Sequence, residues 1–148
     1  MRMDTEEIKA KVLELFSQPH LVVVFSTVDE ADRPQTRLMG AVVPVKDAEF
    51  AWHFETKRES RKVSQLAKRP QAQLLAYRPD YSEVATLTGR ARLVDDPEVK
   101  RAVWDAVPVS GEYFSSWDAP EFAVLRFDAE EVEYLNLTLQ LEPFRVRV

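Results

Sequence analysis

The 148-residue sequence contains no cysteine, two histidines (His20 and His53) and three glycines (Gly40, Gly89 and Gly111). Each shortage excludes a class of chemistry. Without cysteine there can be no disulfide, thiol nucleophile, iron–sulfur cluster or thiolate-bound zinc. The histidines stand far apart with no metal-ligand spacing, so no metal site is expected. Isolated glycines build neither a glycine-rich phosphate loop nor a dinucleotide fingerprint, so nucleotide binding by those routes is excluded. No apolar run approaches membrane-spanning length, and Met1-Arg2-Met3-Asp4-Thr5-Glu6-Glu7 lacks an apolar signal core. A cytoplasmic protein without membrane contact is the expectation. Positive charge is also scarce: 20 lysines and arginines face 25 acidic residues, a formal net charge of -5. Nucleic acid is therefore not an expected partner, and any anion site must be a local concentration of cations.

What is present suits one domain over residues 1–148, with 45% hydrophobic and 30% charged residues. Asp4 and Glu7 mark a helix start, and Ile8, Val12, Leu15 and Phe16 recur at helical spacing before Pro19. Leu21 to Thr27 is a continuous apolar, β-branched run that reads as a strand buried on both faces. A polar turn over Asp29 to Pro34 leads to a returning strand, Gln35 to Val43. Glu49 to Thr56 reads as a third strand, with Phe50, Trp52 and Phe54 on one face and His53 on the sheet surface. A helix from about Ser60 to Lys68 follows, then strands over Ala72 to Arg78 and Glu83 to Leu93. Asp95-Asp96-Pro97 opens a further helix, residues 107–121 read as irregular, and Phe122 to Phe127 and Val132 to Leu141 read as two late strands. Phe144 to Val148 alternates like an edge strand. Six or seven strands with short turns and few helices predict an antiparallel barrel with peripheral helices.

The most informative stretch is Thr56-Lys57-Arg58-Glu59-Ser60-Arg61-Lys62-Val63. Ser60 is a good N-cap residue. Arg61 and Lys62 occupy the first helical turn, where the backbone carries partial positive charge and carboxylates are preferred. Lys57 and Arg58 add two more cations against one acid, Glu59. Two readings stand: a solvated basic face, or a phosphate held by first-turn N–H groups, a serine hydroxyl and cations. Arg37, within a strand, reads either as an edge arginine or as a further anion ligand. The aromatic face of Phe50, Trp52 and Phe54 reads as barrel core or as the lining for a flat ring. Trp104 and Trp117 read as buried core or as residues at a ligand or interface.

In this order the residues resemble the pyridoxamine 5′-phosphate oxidase-like superfamily of FMN-binding split barrels, and within it the small general-stress-protein flavoproteins. Phe25-Ser26-Thr27-Val28-Asp29 through Arg33-Pro34-Gln35-Thr36-Arg37-Leu38-Met39 resembles the opening hairpin. Phe54-Glu55-Thr56, with Ser60-Arg61-Lys62-Val63 and Leu66, resembles the phosphate-binding segment. Thr88-Gly89-Arg90-Ala91 before Val94-Asp95-Asp96-Pro97 resembles the central strand and second helix start. The resemblance implies a six- to seven-stranded antiparallel split β-barrel with flavin mononucleotide (FMN) as cofactor. It implies that Arg37 and Lys62 contact the FMN phosphate with Arg61 beside them, and that Thr56 and Ser60 donate hydroxyl hydrogen bonds to phosphate or ribityl oxygens. The backbone at Leu38 and Met39 would lie along the isoalloxazine ring. A homodimer is implied, with the flavin between subunits and Trp104, Trp117 or residues near Asp118 reaching the partner's flavin.

Three departures qualify the resemblance. The C-terminus, Leu141-Glu142-Pro143-Phe144-Arg145-Val146-Arg147-Val148, has no histidine, unlike the motif that grips substrate phosphate in the B6-converting oxidase, so oxidation of pyridoxamine phosphate is not expected. The hairpin turn carries Ala31-Asp32 where Asp-Gly is common, and Glu55 must point away from any phosphate. The expectation is an FMN-dependent oxidoreductase of unknown substrate, with no side chain marked as catalytic. The alternatives are a non-enzymatic flavin-binding module and a haem or deazaflavin carrier on the same fold. The scarcity of histidine weighs against haem.

Overall fold

A computed structural model describes residues 3–139 and 143–148. Helix α1 (Thr5–Leu15) begins with a capping box in which Asp4 accepts from the Glu7 backbone and Glu7 reaches back to the Asp4 backbone. It buries Ile8, Val12, Leu15 and Phe16. The strands are β1 (Val23–Val28), β2 (Pro34–Met39), β3 (Val43–Pro44), β4 (Ala51–Lys57), β5 (Gln71–Tyr77), β6 (Glu83–Val94), β7 (Phe122–Asn136) and β8 (Phe144–Arg147). Helices α2 (Arg61–Lys68), α3 (Pro97–Ala106) and the single turn α4 (Ser110–Tyr113) complete the described elements.

All strand pairs are antiparallel, in the order β2-β1-β5-β6-β7-β4-β3, with β8 added beside β7. The sheet curls on itself, because Phe25 of β1 and Phe54 of β4, four steps apart along that order, meet edge to face at 5.5 Å. No hydrogen bonds among the described residues close β2 onto β4 or β3, so the barrel is split there. Phe25, Phe54, Leu74, Leu87, Leu125 and Phe127 fill the interior, and Phe16 brings α1 onto Trp52 at 4.8 Å. A second apolar cluster (Val94, Val103, Val107, Phe114, Phe122 and Val124) seats α3 and α4 on the outer face of β4, β6 and β7.

The fold departs from the sequence expectation in three places. β1 is buried on one face only: Val23, Phe25 and Thr27 are buried while Val24, Ser26 and Val28 are half-exposed. The returning strand stops at Met39, and Val43–Pro44 forms a separate strand against β4, with Val43 opposite His53. The two late strands are one, β7, because the polar stretch at Asp128 to Glu131 is a bulge opposite Thr88 and Gly89 rather than a turn. Gly89 permits it: a Cβ there would lie 2.0 Å from the Asp128 carbonyl oxygen. The end of the expected late strand, at Gln140 and Leu141, lies outside the described residues. Merging two strands and separating β3 leaves eight strands, counting that two-residue piece.

Candidate functional site

The candidate site lies at the split, where β2, the end of β4 and the start of α2 converge. Arg37 is opposite Phe25 in the β1–β2 register, so its side chain is on the interior face. There its guanidinium donates to the Thr27 hydroxyl at 2.8 Å and to the Phe25 carbonyl at 3.3 Å. Thr27, itself buried, donates to the Gln65 side-chain oxygen at 2.6 Å, and Arg37 reaches the same oxygen at 3.5 Å. These contacts aim the guanidinium without neutralising it.

Lys62, in the first turn of α2, donates to the hydroxyl of buried Thr56 at 2.9 Å. An ammonium on that oxygen leaves the hydroxyl proton free to donate elsewhere. Ser60 stands at the N-cap, but its hydroxyl does not cap the helix, contrary to the expectation from sequence. That oxygen is buried and has no hydrogen-bond partner among the described residues. The first-turn N–H groups of a helix lack intrahelical acceptors as well, so donors gather at this point. Arg61 is exposed and adds its charge to that of Arg37.

Arg37, Arg61 and Lys62 share no salt bridge with a carboxylate among the described residues. Burial and the Arg61 charge hold the Arg37 guanidinium below its ordinary pKa. Burial and the Arg37 charge do the same to the Lys62 ammonium. A half-buried cluster of like charges is unfavourable by itself and accepts an anion.

The basic run divides into two kinds of residue. Arg58 donates to Asp95 at 2.6 Å and to the Pro120 carbonyl at 3.2 Å, so it ties α2 to the α3 region. Glu55 points away from the cluster, as it must, and accepts from Ser110; burial raises its pKa against that hydrogen bond. Leu38 and Met39 split by face: Met39 is buried beside Val23, and Leu38 is 69% exposed on an edge strand. The β1–β2 turn puts Asp32 at φ 60, the left-handed conformation that glycine would take easily. Arg69 donates to Asp32 at 3.0 Å and to the Glu30 carbonyl at 3.2 Å, fastening this hairpin to the end of α2.

Other candidates fall outside the cluster. Trp104 packs on Phe122 with ring centres 5.5 Å apart, and Trp117 lies under the Arg101 guanidinium at 4.5 Å. Asp118 accepts from Ser116. His53 is buried on the outer face of β4 rather than exposed on a sheet surface, because α3 overhangs that face and β3 flanks it. Sequence reasoning missed Thr27 and Gln65. For Thr27 a signal was available only in retrospect, as a polar residue at an otherwise apolar alternating position of β1; Gln65, at helical spacing from Arg61, Lys62, Lys68 and Arg69, carried none.

The family model for pyridoxamine 5′-phosphate oxidase matches residues 8–136. No curated protein matches the chain in sequence. Among solved structures, a Clostridium acetobutylicum protein related to general stress protein 26 of B. subtilis superposes with a TM-score of 0.81 at 20% identity, covering 99% of this chain and 97% of that one. A pyridoxamine 5′-phosphate oxidase-related, FMN binding protein from Nostoc punctiforme gives 0.71 at 19% identity, covering 100% and 99%. A heme binding protein from Mycobacterium smegmatis gives 0.71 at 17% identity, covering 97% of this chain and 59% of that one. These similarities share one fold across proteins named for different cofactors.

Proposed function

The chain belongs to the pyridoxamine 5′-phosphate oxidase family, and from that premise we propose that it is an FMN-binding flavoprotein acting as an oxidoreductase. The observation that carries the proposal is the buried Ser60 hydroxyl, which has no partner among the described residues, beside a cation cluster with no carboxylate partner among them. A buried hydroxyl without a partner costs roughly 1–3 kcal/mol. A phosphate would satisfy it and relieve the repulsion among Arg37, Arg61 and Lys62.

In this reading Arg37, Lys62 and Arg61 neutralise the FMN phosphate, and Thr56 and Ser60 donate to phosphate or ribityl oxygens. The unpaired edge of β2 at Leu38 and Met39 offers backbone N–H and C=O groups to the polar rim of the ring. Bound FMN supplies two-electron and one-electron redox chemistry, and the protein contributes binding, orientation and electrostatics. The cofactor reading favours flavin over haem at this cluster, because neither histidine adjoins it: His53 is on the opposite face of β4, and His20 is in the loop before β1.

The same reading includes a homodimer. Leu38, Val24 and Leu75 form a cross-strand row on the outer face of β2, β1 and β5. Val22, 47% exposed, and Tyr77, 40% exposed, extend this apolar patch, which a second copy would cover.

The test is a titration of apo-protein with FMN and with riboflavin, followed by flavin fluorescence. Arg37→Ala and Lys62→Ala are each expected to weaken FMN by about 1.5–3 kcal/mol, the scale of a charge-assisted hydrogen bond. Riboflavin, lacking the phosphate, should barely respond. Equal losses for both ligands, or wild-type protein that binds neither, would overturn the proposal.

A further inference from the structure

A second recess lies on the other side of β4. Residues alternate along that strand, so Trp52, Phe54 and Thr56 face the interior and the cation cluster while Ala51, His53 and Glu55 face outward. Over the outward face, beneath α3, is a cavity of about 590 Å³. Sites for small organic ligands commonly span about 300–1,000 Å³.

Its floor is set by register. Val43, His53, Arg126 and Arg92 are successive cross-strand partners on β3, β4, β7 and β6, so they form one row across the sheet. Asp128 neutralises Arg126 through both carboxylate oxygens, at 3.0–3.1 Å. Arg92 has no salt bridge among the described residues. Burial, with the charges of Arg126 and Arg92, holds the His53 pKa below its ordinary value, while Asp128 acts in the opposite sense. A neutral imidazole offers one N–H donor. The floor therefore presents one uncompensated guanidinium, with hydrogen-bond donors beside it. The wall is apolar, made by Val94, Val99, Ala102 and Val103. Lys46 also borders the cavity, and so do Asp47, Asp96 and Glu98, three carboxylates that offset it and would repel a multiply charged anion.

We propose that this cavity is a second binding site, separate from the flavin site, that takes a small organic monocarboxylate with an apolar body. The carboxylate lies against Arg92 and the His53–Arg126 row, and the apolar body lies along Val99, Ala102 and Val103. One negative charge matches the one free guanidinium of the floor, while the Lys46 ammonium at the border is offset by Asp47, Asp96 and Glu98. The apolar wall gives the rest of the ligand its burial energy, which a free inorganic anion could not use.

The experiment is a calorimetric titration of the full chain with octanoate, with octanol and inorganic phosphate as controls. Wild-type protein should bind octanoate at one site per chain, octanol at least tenfold more weakly, and phosphate without displacing octanoate. Arg92→Ala should weaken octanoate at least tenfold. Ala102→Phe, a change at an exposed position that fills the wall, should abolish binding, and each variant should keep the wild-type melting temperature within a few degrees. FMN-saturated protein should bind octanoate unchanged. The proposal is overturned if wild-type protein shows no saturable octanoate binding, if both folded variants bind like wild type, or if FMN displaces octanoate. Apart from the FMN arm the titration is read without flavin, so octanoate binding and its loss in the two variants do not depend on the flavin proposal.

Discussion

Arg78, just past the end of β5, and Arg37, inside β2, are both partly buried arginines, yet the chain surrounds them differently. Arg78 donates to Glu83 at 3.0 Å and also reaches Glu14. Glu83 in turn accepts from the buried Tyr134 hydroxyl and lies 4.0 Å from Lys11. Burial opposes ionisation of Glu83, but the bonds from Tyr134 and Arg78 outweigh it and hold its pKa down. Burial and the Glu83 bond push the Tyr134 phenol up to about 12, and the Glu83 hydrogen bond raises Arg78. Arg37 and Lys62 shift the other way because burial disfavours their charged forms and the nearest charges are cations. Where cation and carboxylate are supplied together the network is structural. Where only the cations are supplied, the protein is less stable alone than it would be with a bound anion.

Mutation should separate the two regions. Glu83→Leu removes the acceptor shared by Arg78 and Tyr134 and should destabilise the fold by about 2–4 kcal/mol in denaturant titrations, with FMN affinity intact. If FMN binding fell equally, the two regions would not be independent. Lys62→Met should do the reverse: FMN affinity falls, while apo-protein stability at neutral pH holds or rises by up to about 1 kcal/mol.

The pH dependence of that stability sharpens the contrast. A lysine with a depressed folded-state pKa binds fewer protons folded than unfolded between that value and its ordinary 10.5. Its penalty is therefore fully present below the window, and stability rises with pH through it. The stability difference between apo wild type and Lys62→Met should be widest near neutral pH and close as pH approaches 10.5. A difference that stays constant across this range would mean that Lys62 carries no buried-charge penalty. The smallest expected effect is that of salt: FMN affinity should fall modestly as ionic strength rises, with riboflavin affinity flat.

Much of the fold was legible because it depends on local chemistry. The Asp4–Glu7 capping box, Pro97 at the start of α3 and the alternation of β4 each follow from near neighbours. The bulge in β7 was not legible, because Asp128 to Glu131 has the composition of a turn and only pairing with β6 keeps it in the sheet. His53 was misread for the same reason: alternation fixes which face it takes, but not that α3 overhangs that face and β3 flanks it. At the candidate site, Arg37, Thr56, Ser60 and Lys62 could be named in advance. The roles of Thr27 and Gln65 depended on contacts across 10 and 38 residues of sequence, to Arg37 and Thr27 respectively.

The sequence alone determined the supply of groups: no thiol, few histidines, an acidic chain, and four cations concentrated around one helix start. Those are facts of composition and short-range order, which folding cannot change. The tertiary structure decided which cations were already neutralised. It paired Arg58 with Asp95 and Arg126 with Asp128, and left Arg37, Lys62 and Arg92 without a carboxylate partner among the described residues. The physical reason is that electrostatic compensation depends on distance and burial, and both are set by strand register and by the curl that brings β2 and β4 to the two sides of one split.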